Sequence, residues 1–109
     1  MFKEKHHIVF KSQGGLDFEL NYIDLSPVAH RGQRGPHMNK EVDLIYKREL
    51  ESNLRRLLDK ERYFEEEVIQ LIGLDSKQAY KAFKRVARTS EGMHKEDIIQ
   101  RLLGGRFYL

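Results

Sequence analysis

The sequence predicts an α+β chain, with two short strands and a short helix within residues 1–40 and a mainly helical part over residues 41–109. Three observations predict it. The stretch His6 to Phe10 (HHIVF) is β-branched and aromatic and runs into Ser12-Gln13-Gly14-Gly15, which reads as a strand closing on a tight turn. The stretch Asn21 to Leu25 places Ile23 and Leu25 on one face and meets Ser26-Pro27, a cap residue followed by proline at the first helical position. Beyond Asn39, apolar residues recur at helical spacing instead of alternating.

Taken in order, the helix opened by Pro27 carries His30 and is interrupted by Gly32, Gly35 and Pro36, because a proline removes a backbone donor and pushes its predecessor out of helical geometry. Asn39 then caps the longest helix, in which Val42, Ile45, Tyr46, Leu50, Leu54, Leu57 and Leu58 form an apolar stripe opposite charged residues. That stripe must pack on something. In a chain of 109 residues a second copy is a candidate cover, so a homodimer through the helical part is one expectation. A helix from Tyr63 to Ile72 stops at Gly73, Asp75 caps another from about Lys77 to Ala87, a loop runs from Arg88 to Met93, and a last helix from Lys95 to Leu103 closes at Gly104-Gly105.

Residues 63–88 carry the pattern of a helix-turn-helix: a helix, a turn glycine (Gly73), the apolar Leu74, and a second helix with Ala79 and Ala82 facing inward. Ile69 stands four before the glycine, where a small residue usually lets the helices approach. Lys77, Lys81, Lys84 and Arg85 suit contacts with a DNA backbone. An ordinary helical hairpin with a solvated basic face fits the same residues.

Composition narrows the function classes. A net charge of +3 is too mild to point to a polyanion by itself, but five Lys and Arg fall between Lys77 and Arg88 with no acid among them. The chain has no cysteine, which excludes disulfides and cysteine zinc knuckles, so any metal must sit on His, Asp, Glu or Asn. No apolar run approaches a membrane span, and MFKEKHH lacks the apolar core of a signal peptide. The expectation is a soluble cytoplasmic protein with no membrane partner.

Four of the five histidines fall between Lys5 and Asn39, as the pair His6-His7 and the singles His30 and His37. Neutral imidazole is a good ligand for borderline divalent metals. Adjacent strand residues point to opposite faces. His6 and His7 should therefore divide the work, one on a metal and the other free to reach a water.

The order His-His-Ile-Val, Ser-x-Gly-Gly, Asn-x-Ile-x-Leu and then His30 resembles the HNH endonuclease family, and in particular its small phage-type members, over roughly the first 40 residues. The resemblance implies the ββα-metal fold, two short antiparallel strands and a helix around one divalent ion. It implies His6 and His30 as metal ligands, His7 as the general base that activates water against a DNA phosphodiester, and Asn21 as the central Asn whose amide ties the loop between the strands and helps hold His7. The family's last ligand normally follows by one helical turn, where this chain has Arg34; His37, beyond the interruption, is the expected replacement, with Asn39 behind it. Arg31 and Arg34 beside the metal would add phosphate contacts. Magnesium or manganese is the expected working ion, and zinc or nickel would also suit three imidazoles. A phage-encoded protein in a bacterial host is implied as well. The alternative is a DNA-binding regulator that keeps the metal only as a structural clip. A further one is a scaffold or packaging accessory in which the histidines are vestigial. His94 lies outside the cluster and receives no role.

Overall fold

The computed structural model describes residues 3–32 and 35–109, with the backbone alone at residue 31. Among the described residues the architecture is mixed α+β, five α-helices with two small antiparallel sheets. Strands β1 (Glu4–His7) and β2 (Tyr22–Leu25) form the first sheet, with His6 opposite Ile23 and His7 opposite Tyr22. Helix α1 (Pro27–Arg31) follows, its start fixed by the Ser26 hydroxyl accepting from the Ala29 N–H. Helix α2 (Lys40–Leu57) follows, and its 18 residues make it the longest helix among the described residues.

The first strand is shorter than HHIVF suggests. It ends at His7 because the next residues turn onto Asn21: the Ile8 N–H donates to the Asn21 carbonyl at 2.8 Å and the Val9 N–H to its side-chain oxygen at 2.8 Å. The chain then makes two short 3-10 turns, Lys11–Gln13 and Glu19–Asn21, with Gly14 and Gly15 between them. Gly15 is required by close approach, since a Cβ there would stand 1.8 Å from the Val9 carbonyl oxygen.

The second sheet was not anticipated. Strands β3 (Arg62–Tyr63), β4 (Arg88–Thr89) and β5 (Gly92–His94) lie in the order β3-β5-β4. The expected loop from Arg88 to Met93 is thus a hairpin about Ser90-Glu91, and its return strand is held close to β3. Gly92 has φ +104°, and a Cβ on it would meet the Tyr63 carbonyl oxygen at 2.4 Å. Strands of two residues leave almost no alternation to read. Tyr63, expected as the first helical residue, belongs to β3 for the same reason.

Helix α3 (Glu65–Ile72) and helix α4 (Ser76–Phe83) are joined by a short turn, Gly73 and Leu74 with Asp75 as cap, and α5 (Lys95–Leu102) follows the hairpin. Ile69 does not block the turn. It packs half-buried at the margin of the core, while Val68, Ile72 and Leu74 carry the contact inward. Helix α4 stops at Phe83, shorter than expected, because Lys84 to Val86 turn away towards β4.

One continuous core runs from Ile8, Val9 and Phe18 through Leu50, Leu54 and Leu58 of the α2 stripe to Ile98, Ile99, Leu102 and Leu103. Leu50, Leu54 and Leu58 of the stripe are thus covered within the chain, whereas Ile45 stays exposed. Two clamps fix the loop after β1 to the helical part. Arg101 of α5 donates to the Gly14 carbonyl at 2.9 Å and to the Ala82 carbonyl at 3.2 Å. Gln78 of α4 holds Asp17 by two hydrogen bonds, both 3.0 Å. No helix among the described residues is long and apolar enough to cross a membrane.

Candidate metal centre and histidine network

His6 leaves β1 towards α1 and α2, and period-two alternation sends His7 to the other side of the sheet. On the first side, donor nitrogens of His6, His30 and His37 all lie within 4.8 Å of one another. Nitrogens bound to zinc at about 2.0–2.1 Å would stand roughly 3.3 Å apart, so small ring movements suffice to seat an ion. The His6 ring also packs edge-on against His30, His37 and Phe10, with centroids 5.0–5.3 Å apart.

Two features mark this group as more than a stack of rings. His6 is 1% exposed, yet its Nε2 has no hydrogen-bond partner, and a buried polar atom left unpaired costs about 1–3 kcal/mol. Burial, then His30 and His37, then the Lys47 ammonium pull the His6 imidazole down to about 4, so at neutral pH it offers a lone pair. The second feature is the orientation of His30. Its Nδ1 lies 3.0 Å from a Glu4 carboxylate oxygen, and a carboxylate can only accept, so the Nδ1 hydrogen points to Glu4 and Nε2 faces inward. That is the arrangement in which an outer carboxylate holds a metal-binding histidine. The His30 and His37 Nε2 atoms are 2.8 Å apart, within hydrogen-bond distance of each other. The three residues could hold a divalent ion.

On the opposite side His7 Nε2 lies 2.7 Å from Asp17 Oδ1. The same oxygen accepts from the Tyr22 hydroxyl at 2.8 Å, and the Tyr22 ring packs edge-on against His7 at 4.7 Å. Asn21 is fully buried. Its side chain accepts from the Val9 N–H and donates to the Val9 carbonyl at 3.2 Å and the Leu16 carbonyl at 2.9 Å. It therefore closes the whole loop between the strands and makes no hydrogen bond to His7.

The remaining sequence-predicted residues are spread out. The side-chain oxygen of Asn39 caps α2 by accepting from the Glu41 and Val42 N–H groups. Arg34 and the Arg31 side chain lie outside the described residues. Lys77 and Lys81 are exposed on α4, and Lys84 and Arg85 are exposed just past its end. His94, given no role, caps α5 through Nδ1, which accepts from the Glu96 N–H at 3.1 Å.

Sequence reasoning missed Glu4, Asp17, Tyr22 and Gln78. Glu4 had a signal, because it stands two residues before His6 and so on the same face of β1. Asp17 and Gln78 had none, being 61 residues apart and joined only by the fold. No family model, no curated protein and no solved structure matches the chain, so its function has to be argued from its own residues.

Proposed function

We propose that the chain is a metal-dependent HNH-type endonuclease that hydrolyses DNA phosphodiester bonds, built on a ββα-metal unit of β1, β2 and α1. The observation that carries this reading is the convergence of His6, His30 and His37, with a buried His6 nitrogen that lacks any partner, one residue away from a histidine on the other face of the strand. A fold that spends stability on an unpaired buried nitrogen is best explained by a ligand for it. A divalent ion, magnesium or manganese in use and zinc or nickel as substitutes, would draw charge from the phosphate and the departing 3′ oxygen.

The protein's own residues do the rest. His7 takes the proton of a water whose oxygen attacks phosphorus, and the bond from phosphorus to the 3′ oxygen breaks. Imidazole suits this task because its ordinary pKa lies near neutrality. Asp17, next to the ring, stabilises the imidazolium that forms. Asn21 holds the loop, and with it Asp17, in place. Lys77, Lys81, Lys84 and Arg85 supply the cationic face that would receive the DNA backbone, on a helix-turn-helix fastened to the His7 loop.

A second reading has one observation in its favour. The bonded chain from His7 through Asp17 to Gln78 would also serve a DNA-binding regulator, as a tie between the metal clip and the helical part. Supercoiled-plasmid conversion with magnesium, manganese, nickel or zinc separates the two. The nuclease nicks or linearises plasmid, His7→Ala abolishes cutting while still binding metal, and His30→Ala loses both. A wild type that shifts DNA in a gel yet cuts no duplex, single strand or junction under any ion is the regulator.

A further inference from the structure

We propose that Asp17, held by Gln78 of α4, is the positioning residue of the nuclease, fixing the His7 ring so that Nδ1 alone is left to take a proton. The inference rests on the nuclease reading and extends it to two residues outside the HNH-like pattern.

Every contact of the Asp17 carboxylate is with a donor. Oδ1 receives His7 Nε2 at 2.7 Å and the Tyr22 hydroxyl at 2.8 Å; Oδ2 receives Gln78 Nε2 at 3.0 Å and has the Lys11 ammonium at 3.6 Å. These donors, His7 first, hold its carboxyl at about 2, so it is ionised at neutral pH and can only accept. The hydrogen between Asp17 and His7 must then come from His7 Nε2, and neutral imidazole carries one hydrogen. Nδ1 keeps the lone pair. Edge-on packing by Tyr22 restricts the ring's rotation further.

The carboxylate is itself held at two points. Gln78 Oε1 accepts from the Asp17 backbone N–H and Gln78 Nε2 donates to Oδ2, so a single side-chain amide fixes both the main chain and the carboxylate. Gln78 lies between Lys77 and Lys81 on α4. The helix that presents cations to DNA is thereby the helix that sets the orienter of the base. Asp17 bonds to none of His6, His30 and His37, so its replacement should leave the contacts of the metal group in place.

Asp17→Asn is the informative variant, because it keeps shape yet lets an amide N–H face His7 and drive the hydrogen to Nδ1. The expected result is a fall in kcat of about 10²–10³-fold, by analogy with the wrong-tautomer effect in catalytic triads, with KM and zinc affinity unchanged. Gln78→Ala should lower kcat by a smaller factor. Asp17→Glu should recover part of the loss, since it restores an acceptor-only partner. A second readout is independent of cutting: 15N-resolved imidazole NMR of the chelated protein at alkaline pH should show His7 protonated on Nε2 in the wild type and shifted towards Nδ1 in Asp17→Asn. A kcat for folded Asp17→Asn within about threefold of wild type, or a tautomer ratio that does not move, overturns the inference. A wild type that cuts nothing overturns the nuclease reading instead, and the NMR result alone then decides whether Asp17 fixes the ring.

Discussion

Replacing His6 by phenylalanine should stabilise the metal-free protein and abolish its response to metal. The His6 ring is 1% exposed and sits in an aromatic cage of Phe10, His30 and His37, so a phenyl ring keeps the edge contacts. What it removes is the unpaired Nε2, whose desolvation costs about 1–3 kcal/mol. Phenylalanine is slightly larger, and fitting it should return up to about 1 kcal/mol of that gain as overpacking. The net is a stabilisation of about 1–2 kcal/mol in chelator. For 109 residues the melting entropy is about 0.23 kcal/mol per kelvin, so the midpoint should rise by about 4–9 °C.

The ranking must then reverse with metal. At a hundredfold excess of zinc over its dissociation constant the wild type gains about 2.7 kcal/mol, whereas a site reduced to His30 and His37 gains little. Thermal melts of both proteins in chelator and in excess zinc test both halves. A variant that melts below the wild type in chelator would show that Nε2 is not a cost in the free protein. Equal zinc stabilisation of the two would remove His6 from the metal site.

Asn21→Ala should cost about 3 kcal/mol, because it strands the buried Val9 N–H and the Val9 and Leu16 carbonyls together; urea unfolding with an unchanged slope and a midpoint near wild type would refute this. The pH dependence of the metal-free protein follows from His6, whose folded pKa of about 4 lies below its ordinary 6.5. The unfolded chain binds the extra proton between those values, so this contribution is complete above about pH 6.5 and is lost as pH falls towards 4, on the order of 3 kcal/mol in all. His6→Phe should lack that slope in acid-titrated unfolding. Lys77→Ala with Lys81→Ala should weaken DNA binding uniformly across sequences and reduce the salt dependence by about two units of slope; sequence-selective loss would place these residues on base edges instead. Glu51→Gln should loosen the hold on Tyr108 and Leu109, since this buried carboxylate accepts from their N–H groups and pairs with Arg55; faster amide exchange at Tyr108 and Leu109 is the expected sign.

How much of this was legible depended on the range of each signal. The cap at Ser26, the proline after it, the cap at Asp75 and the turn at Gly73 are local chemistry, written within four residues of where they act, and the helix ends they mark stand where the sequence puts them. The α2 stripe was legible as a face but not as to what covers it, because periodicity reports which residues are buried and says nothing of the partner surface. The second sheet was hidden for the opposite reason: two-residue strands are chosen by tertiary pairing, and Tyr63 joins Met93 across 30 residues with no propensity to announce it. The site divides along the same line. Strand alternation, a short-range fact, suggested that His6 and His7 part company, whereas His6, His30 and His37 were singled out as one group only by the HNH resemblance. The residues that give those histidines their orientation, Glu4 for His30 and Asp17 with Gln78 for His7, are ordinary surface types until the fold sets them 3.0 Å or less from a partner. Ligand types are thus written locally, whereas the outer contacts that choose which nitrogen carries the hydrogen are properties of the packed chain, and it is those contacts that would separate a working base from a histidine that merely fills a strand.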